Sequence, residues 1–300
     1  MLKCIECGHE TQETFNVTQC ACSITDLKSV TIPITTYYST SIKKYPFSIS
    51  PIERHNNILL LKREDFNKPS GTFKDRKATY VNYIHDKFAV ASSGNQAIAL
   101  AKVRGLQYDP TYVYVSCYVD NKKLEILRSY FSEITFTDQI LSTYKLIRGE
   151  KDRWNITNGM DPIGASAYYN IAIELENLNL HNIVVPCGSG ELFSALATYF
   201  FLLRKKACCP RIIGVRSPYP ETDAISTEFF ALQPFLDYFT EETSSYIYTL
   251  DNSTETLKNL YLHSANNQCE LSSAVVFEAY KQLSLEKEGK TCLIVTGGIK

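Results

Sequence analysis

The chain has 300 residues, of which 44% are hydrophobic and 21% are charged. This is the balance of an ordinary globular protein of about two domains, so disordered, fibrous and collagen-like classes are excluded. The 31 Lys and Arg residues nearly cancel the 32 Asp and Glu residues, which leaves a net charge of −1. Without a basic surplus to neutralise a phosphate backbone, nucleic acid is not expected as a partner.

The first ten residues lack the apolar core of a signal peptide, and apolar runs such as Ile58 to Leu61 are far shorter than a membrane span. We therefore expect a cytoplasmic protein with no membrane partner. The 10 cysteines of such a chain indicate thiols and metal ligands rather than a disulfide framework.

Two cysteine pairs lie close to the amino terminus, Cys4-x2-Cys7 and Cys20-x-Cys22. Four thiolates on two short turns satisfy tetrahedral zinc, and a segment this small has little core of its own. We predict that Cys4, Cys7, Cys20 and Cys22 bind one structural zinc ion, with His9 as a substitute for one of them. The alternative is a metal-free remnant of a zinc ribbon.

An apolar run followed by a helical stretch recurs along the rest of the chain. This alternation predicts an α/β fold with parallel strands covered by helices. The predicted strand and helix pairs are 88–91 with 96–104, 111–117 with 122–130, 182–186 with 192–205, and 211–215 with 221–231. A further helix is predicted over 271–285 and a closing strand over 291–296.

Three glycine-containing turns lie where chemistry is expected. The turn Gly188-Ser189-Gly190-Glu191-Leu192 leads from a strand into a helix, where glycines let an anion reach the free backbone N–H groups. The turn Ser92-Ser93-Gly94-Asn95 places hydroxyls and an amide at a helix start, which suits a carboxylate. A steric need for glycine and an ordinary helix cap are the simpler explanations of these two turns. In the third turn, Lys74 follows Pro69-Ser70-Gly71-Thr72-Phe73, an unusual setting for a solvated lysine.

Taken together, these motifs resemble those of threonine synthases, which are fold type II pyridoxal-phosphate enzymes of the tryptophan synthase beta superfamily. Lys68-Pro69-Ser70-Gly71-Thr72-Phe73-Lys74-Asp75-Arg76 is similar to the family signature Asn-Pro-Thr-Gly-Ser-Phe-Lys-Asp-Arg. The other matching segments follow in the family's order: Ser92 to Asn95, Gly188 to Leu192, Glu270 to Ala274, and Val295 to Lys300. The amino-terminal cysteines also resemble the zinc-ribbon-like start of many threonine synthases.

The resemblance implies two α/β domains of three layers each, with the cofactor between them. We assign residues 1–23 to a zinc-ribbon-like segment, 24–87 plus 156–300 to a large cofactor-binding domain, and 88–155 to a small α/β domain. A homodimer is expected.

The resemblance also implies the roles of individual residues. Lys74 would carry pyridoxal 5'-phosphate covalently and, once displaced by substrate, act as the base for the α-proton. Asn95 would bond the phenolic oxygen of the cofactor and Thr296 would face its pyridine nitrogen. Because a hydroxyl does not keep that nitrogen protonated, β- or γ-elimination and replacement are favoured over transamination. The cofactor phosphate would lie on Gly188, Ser189, Gly190, Glu191 and Leu192, and the substrate carboxylate on Ser92, Ser93, Asn95 and Gln96.

The expected substrate site departs from that of threonine synthases. Lys62 and Asn158 match family residues that lie near the phosphate of phosphohomoserine, but Asp161 takes the place of the family's arginine and Leu192 that of its second asparagine. Losing a bidentate arginine removes a contact worth about 1.5 to 3 kcal/mol. We therefore expect O-phosphohomoserine to be a poor substrate, and Asp161→Arg to improve its use.

The sequence thus predicts a threonine synthase-like lyase or replacement enzyme of amino-acid metabolism, acting on a small amino acid with a β- or γ-leaving group. A threonine or serine dehydratase or ammonia-lyase is the alternative within enzymes. A catalytically degenerate cofactor-binding regulator is the alternative of another class, disfavoured by the intact Lys74, Asn95 and Thr296. A zinc-ribbon binding module is opposed by the neutral charge.

Overall fold

The computed structural model describes residues 1–14, 16–17, 20–23, 35–42, 49–105, 109, 111–117, 119–137, 152–204, 209–222, 225 and 232–297. The strands of this part are β1 (Leu2–Cys4), β2 (Glu10–Thr11), β3 (Tyr37–Ser39), β4 (Ile52–Arg54), β5 (Leu59–Arg63), β6 (Phe88–Ser92), β7 (Tyr112–Ser116), β8 (Ile134–Thr137), β9 (Trp154–Asn155), β10 (Asn182–Pro186), β11 (Arg211–Arg216), β12 (Tyr246–Thr249) and β13 (Thr291–Val295). Its α-helices are α1 (Lys74–Ile84), α2 (Asn95–Arg104), α3 (Asn121–Tyr130), α4 (Pro162–Ala165), α5 (Tyr169–Leu175), α6 (Glu191–Ala197), α7 (Gln233–Glu242), α8 (Thr254–Asn267) and α9 (Leu271–Gln282). Helix α6 continues as a π-helical segment, Thr198–Arg204.

The chain divides into two compact units, and the first comprises Met1–Phe47 and Lys74–Ala167. It holds a small antiparallel sheet, β2-β1-β3, and a parallel four-stranded sheet in the order β8-β7-β6-β9. Leu2, Cys4 and Cys20 of the amino-terminal segment belong to the same apolar cluster as Val90 and Trp154. The cysteine segment is therefore part of the core of this unit rather than an appendage.

The second unit comprises Ser48–Phe73 and Tyr168–Lys300 and contains a six-stranded sheet in the order β12-β11-β10-β13-β5-β4. Its strands are parallel except for β4, which runs antiparallel to β5. The central strands β10 and β13 are buried along their whole length. This is why they read as continuous apolar runs without polar alternation.

The α/β class and most of the predicted elements are confirmed. The strand predicted over 182–186 is β10 residue for residue, and the helix predicted from 192 begins one residue earlier. The helix predicted over 221–231 lies largely outside the described residues, and its described start is a 3-10 turn, Pro220–Thr222.

The unit boundaries differ from the expected ones, because α1 and residues 156–167 group with the four-stranded sheet instead of with 168–300. Whether the expected three parts fold separately stays a prediction. Within the described ranges, no helix combines the length and the apolar character that crossing a membrane requires.

Candidate functional site

The segment before Lys74 is anchored on the end of the central strand β13. Gly71 has a positive φ of 74°, a conformation open to glycine, and it turns the chain so that Thr72 forms a bridge with Gly297. The backbone N–H of Phe73 donates to the carbonyl of Thr296 at 3.0 Å. Lys74 follows directly as the first residue of α1, with only 8% of its surface exposed. Backbone contacts therefore fix the main-chain position from which the buried side chain of Lys74 extends.

The end of β13 also gathers side chains from the start of α9. The hydroxyl oxygens of Thr296 and Ser273 lie 2.9 Å apart, and Ser273 Oγ accepts the backbone N–H of Gly297 at 2.9 Å. A Cβ on Gly297 would come within 2.8 Å of Glu270 Oε2, so a side chain at this position would displace the carboxylate. No role was expected for Glu270 and Ser273, although their segment is among those that resemble the family.

The glycine turn between β10 and α6 has the features of an anion site. Gly190 precedes the helix with a φ of 86°, and Gly188 and Ser189 are half-buried. The free N–H groups of a first helical turn donate readily to anions. One turn further, Ser194 Oγ has no hydrogen-bond partner among the described residues although the side chain is only 4% exposed. A buried hydroxyl without a partner is costly and indicates a missing ligand or water.

The turn between β6 and α2 is held by its own serine. Ser92 Oγ accepts the backbone N–H groups of Gly94 at 2.8 Å and Gln96 at 3.3 Å. Gly94 has a φ of 115°, which residues with a Cβ rarely adopt. Asn95 and Gln96 are buried at the first turn of α2, and Ser93 is half-buried. Ser92 therefore shapes the turn, but the N-cap residue of α2 is Gly94, which has no side-chain capping bond, so the simple expectation of a Ser or Asn N-cap is not met.

Lys62 is engaged inside the second unit. Its side chain is fully buried, and Nζ donates to the carbonyl of Ser50 at 2.5 Å. The ammonium also forms ion pairs with Glu174 and, at 3.8 Å, with Glu64. The ammonium is thus balanced inside this unit by the buried Glu64 and the half-buried Glu174, and a role of Lys62 beside a substrate phosphate stays a prediction.

Asp161 has a structural environment that the sequence did not indicate. It is 2% exposed and caps α4 by accepting the N–H of Gly164 at 2.8 Å. It also accepts the indole N–H of Trp154 at 3.1 Å, and its Oδ2 lies 3.4 Å from Lys77 Nζ. Burial raises the pKa of this carboxyl despite the nearby ammonium. These buried contacts give Asp161 a structural role, and its correspondence to the family's phosphate-binding arginine stays a prediction. Asn158 is half-buried in the preceding turn.

The four amino-terminal cysteines converge. The sulfur atoms of Cys4, Cys7, Cys20 and Cys22 all lie within 4.8 Å of one another. The Cys4 and Cys22 sulfurs are 3.6 Å apart, and those of Cys7 and Cys20 are 3.7 Å apart. Tetrahedral zinc with bonds of about 2.3 Å separates its sulfur ligands by about 3.8 Å. The cluster therefore has the dimensions of a four-thiolate metal site.

Comparison with known proteins finds solved structures of similar fold. The chain is similar to the O-acetylserine dependent cystathionine beta-synthase from Helicobacter pylori, with 21% identity over 84% of this chain and 93% of that one, and a TM-score of 0.67. It is also similar to serine racemase from maize, with 19% identity over 84% of this chain and 89% of that one, and a TM-score of 0.63. For threonine deaminase isoform 2 of Solanum lycopersicum the identity is 16% over 85% of each chain, with a TM-score of 0.64.

At these identities the structural likeness establishes the fold, which is that of the fold type II enzymes. A search of curated proteins finds no relative of this chain. The sequence model of the pyridoxal-phosphate dependent enzymes matches residues 43–297. With its anchored lysine segment and glycine turn, the chain therefore belongs to the family of pyridoxal-phosphate dependent enzymes.

Proposed function

We propose that this chain is a lyase or replacement enzyme acting on a small amino acid with a β- or γ-leaving group. The proposal depends chiefly on the anchoring of Thr72 and Phe73 on Thr296 and Gly297, because it holds the next residue, Lys74, at a defined point of the fold. When bound, pyridoxal phosphate supplies an electron sink for the pair of electrons left at the substrate α-carbon.

The residues present fit this cofactor. The backbone N–H groups of residues 188–192 and the unpartnered hydroxyl of Ser194 suit its phosphate. Lys74 supplies the amine for covalent attachment, and Asn95 and Thr296 supply polar groups for its ring. Glu191 and Leu192 contribute through their backbone, because a carboxylate directed at the phosphate would repel it.

Side chains of this chain move the proton and bind the substrate. Lys74 Nζ removes the α-proton of the bound amino acid. Ser92 holds the backbone of the turn from Ser92 to Gln96, and the Ser93 hydroxyl and the amide side chains of Asn95 and Gln96 bind the substrate carboxylate. The hydroxyl pair of Thr296 and Ser273 is neutral, which favours elimination or replacement over transamination.

A threonine or serine dehydratase is the second candidate. It is favoured by the internal ion pairs of Lys62 and by the capping role of Asp161, which leave neither side chain for a phosphorylated substrate.

A panel of amino acids tests the proposal. We expect a small amino acid of the panel to shift the visible spectrum of the cofactor-loaded protein, with O-phosphohomoserine the poorest ligand. Formation of a 2-oxo acid from serine or threonine would favour the dehydratase. The panel also includes O-phosphoserine and diaminopropionate, which separate a charged from a neutral leaving group. Efficient threonine formation from O-phosphohomoserine would restore the threonine synthase interpretation. A protein that binds cofactor but responds to no amino acid would favour the degenerate regulator.

We also propose that the four cysteines bind one structural zinc ion. Elemental analysis is expected to find about one zinc per chain. The metal should be lost from the variant in which Cys4 and Cys7 are serine, while cofactor binding persists. Cys117→Ser is the matched control, because this cysteine is exposed and lies outside the cluster. A metal-free native protein with an unchanged melting temperature would contradict the assignment.

A further inference from the structure

The cysteine segment is bonded to the turn that follows β9. The backbone N–H of Cys20 donates to Thr36 Oγ1 at 2.9 Å, and the neighbouring Thr35 donates its hydroxyl to the carbonyl of Gly159 at 2.5 Å. Both bonds are buried, and they join parts of the chain that lie 16 and 124 residues apart. Two consecutive threonines thus link a metal ligand to the 157–160 turn.

The same turn is bonded to the end of β6. The last backbone hydrogen bond between β9 and β6 runs from the N–H of Ile156 to the carbonyl of Ala89 at 3.0 Å. Beyond this bond, a side chain replaces the backbone acceptor: Thr157 Oγ1 accepts the N–H of Ala91 at 2.9 Å. Thr157 is fully buried, so without this acceptor the N–H of Ala91 would lose its bond away from water.

Ala91 immediately precedes the turn to which we assign the substrate carboxylate. Ser92 Oγ can hold the N–H groups of Gly94 and Gln96 only if the end of β6 keeps its place. A displacement of Ala91 therefore misplaces the donors of the turn, whereas Lys74 is anchored separately through Phe73.

We propose that Thr35 and Thr157 are positioning residues that couple the metal state of the four-cysteine cluster to the carboxylate-binding turn. The inference rests on the proposed function, since it takes that turn as the substrate-carboxylate site. Coupling of this kind is reciprocal, so metal raises the affinity for the amino acid and the amino acid raises the affinity for metal by the same factor.

The test uses cofactor-loaded Thr157→Val, Thr157→Ser and Thr35→Val proteins, with Thr40→Val as the matched control. Thr40 lies in the same segment, but its hydroxyl bonds only the exposed carbonyl of Met1 among the described contacts. For the amino acid that shifts the visible spectrum, Thr157→Val and Thr35→Val should raise Kd and KM about fivefold to tenfold with kcat nearly unchanged. Thr157→Ser, which keeps the acceptor, should restore native affinity, and Thr40→Val should keep it.

Removal of metal by a chelator should raise the substrate Kd of the native protein by a similar factor. Removal of metal should raise the substrate Kd of Thr35→Val little further, because the bond from Thr35 to Gly159 is already lost in that variant. Zinc loss to the chelator should slow when the amino acid is present.

Two outcomes would overturn the inference. In the first, the valine variants melt at lower temperature but keep the native Kd and KM. In the second, metal removal leaves the native Kd unchanged.

If no amino acid shifts the spectrum, the proposed function fails by itself. Hydrogen exchange of the Ala91 to Gln96 backbone then decides the coupling. Faster exchange after metal removal in the native protein, but not in Thr35→Val, supports it, and unchanged exchange refutes it.

Discussion

The Lys74→Ala protein should fold but lose turnover, by about a thousandfold or more. The contacts that anchor its segment are made by the backbone of Thr72 and Phe73, so truncating the next side chain leaves them in place. What disappears is the amine that attaches the cofactor and moves the α-proton. Borohydride reduction of the native protein followed by peptide mapping should find the cofactor on the peptide that contains Lys74.

Lys87→Ala provides the control for this experiment. Lys87 lies just beyond the end of α1 and is exposed, so its removal should change neither labelling nor activity. Label on a lysine other than Lys74, or near-native turnover by Lys74→Ala, would show that the lysine has been assigned incorrectly.

Local features of the fold were predictable because they depend on neighbouring residues. The apolar run of β10 is dictated by burial on both faces of a parallel sheet. Glycines at 94 and 190 were expected at turns that enter helices, and both have positive φ. The spacing of the four cysteines likewise anticipated a convergence that the structure confirms.

The roles of buried charges were not predictable in the same way. Lys62 is balanced by Glu174, which lies 112 residues further along the chain. Nothing in the sequence around Lys62 indicates this partner. Motif resemblance suggested a place beside the substrate phosphate for a charge that the fold buries. The position of Glu270 was not predictable either, since it comes close to Gly297 only when α9 packs against the end of β13.

Asp161 gives the clearest case, because its contacts argue against the effect expected of its replacement. Asp161→Arg was expected to improve the use of O-phosphohomoserine. Its carboxylate instead caps α4, accepts from Trp154 and faces Lys77 Nζ. A Cβ on Gly164 would overlap this carboxylate, which shows how closely the backbone of α4 packs against it.

We therefore expect Asp161→Ala to lower the free energy of unfolding by about 3 to 5 kcal/mol, because it removes a buried carboxylate that faces the buried Lys77 ammonium and caps α4. Asp161→Arg should be at least as damaging, since it sets a second cation beside the first in the same buried space. Denaturant titration of both variants measures the loss, and the exposed Asp152→Ala, in which no buried pair is broken, should unfold at the native midpoint. An Asp161→Arg protein of native stability that gained activity toward O-phosphohomoserine would mean that this side chain serves the substrate after all. The buried contacts of Asp161 argue for the opposite result, in which the variant loses the first unit's packing before any question of specificity arises.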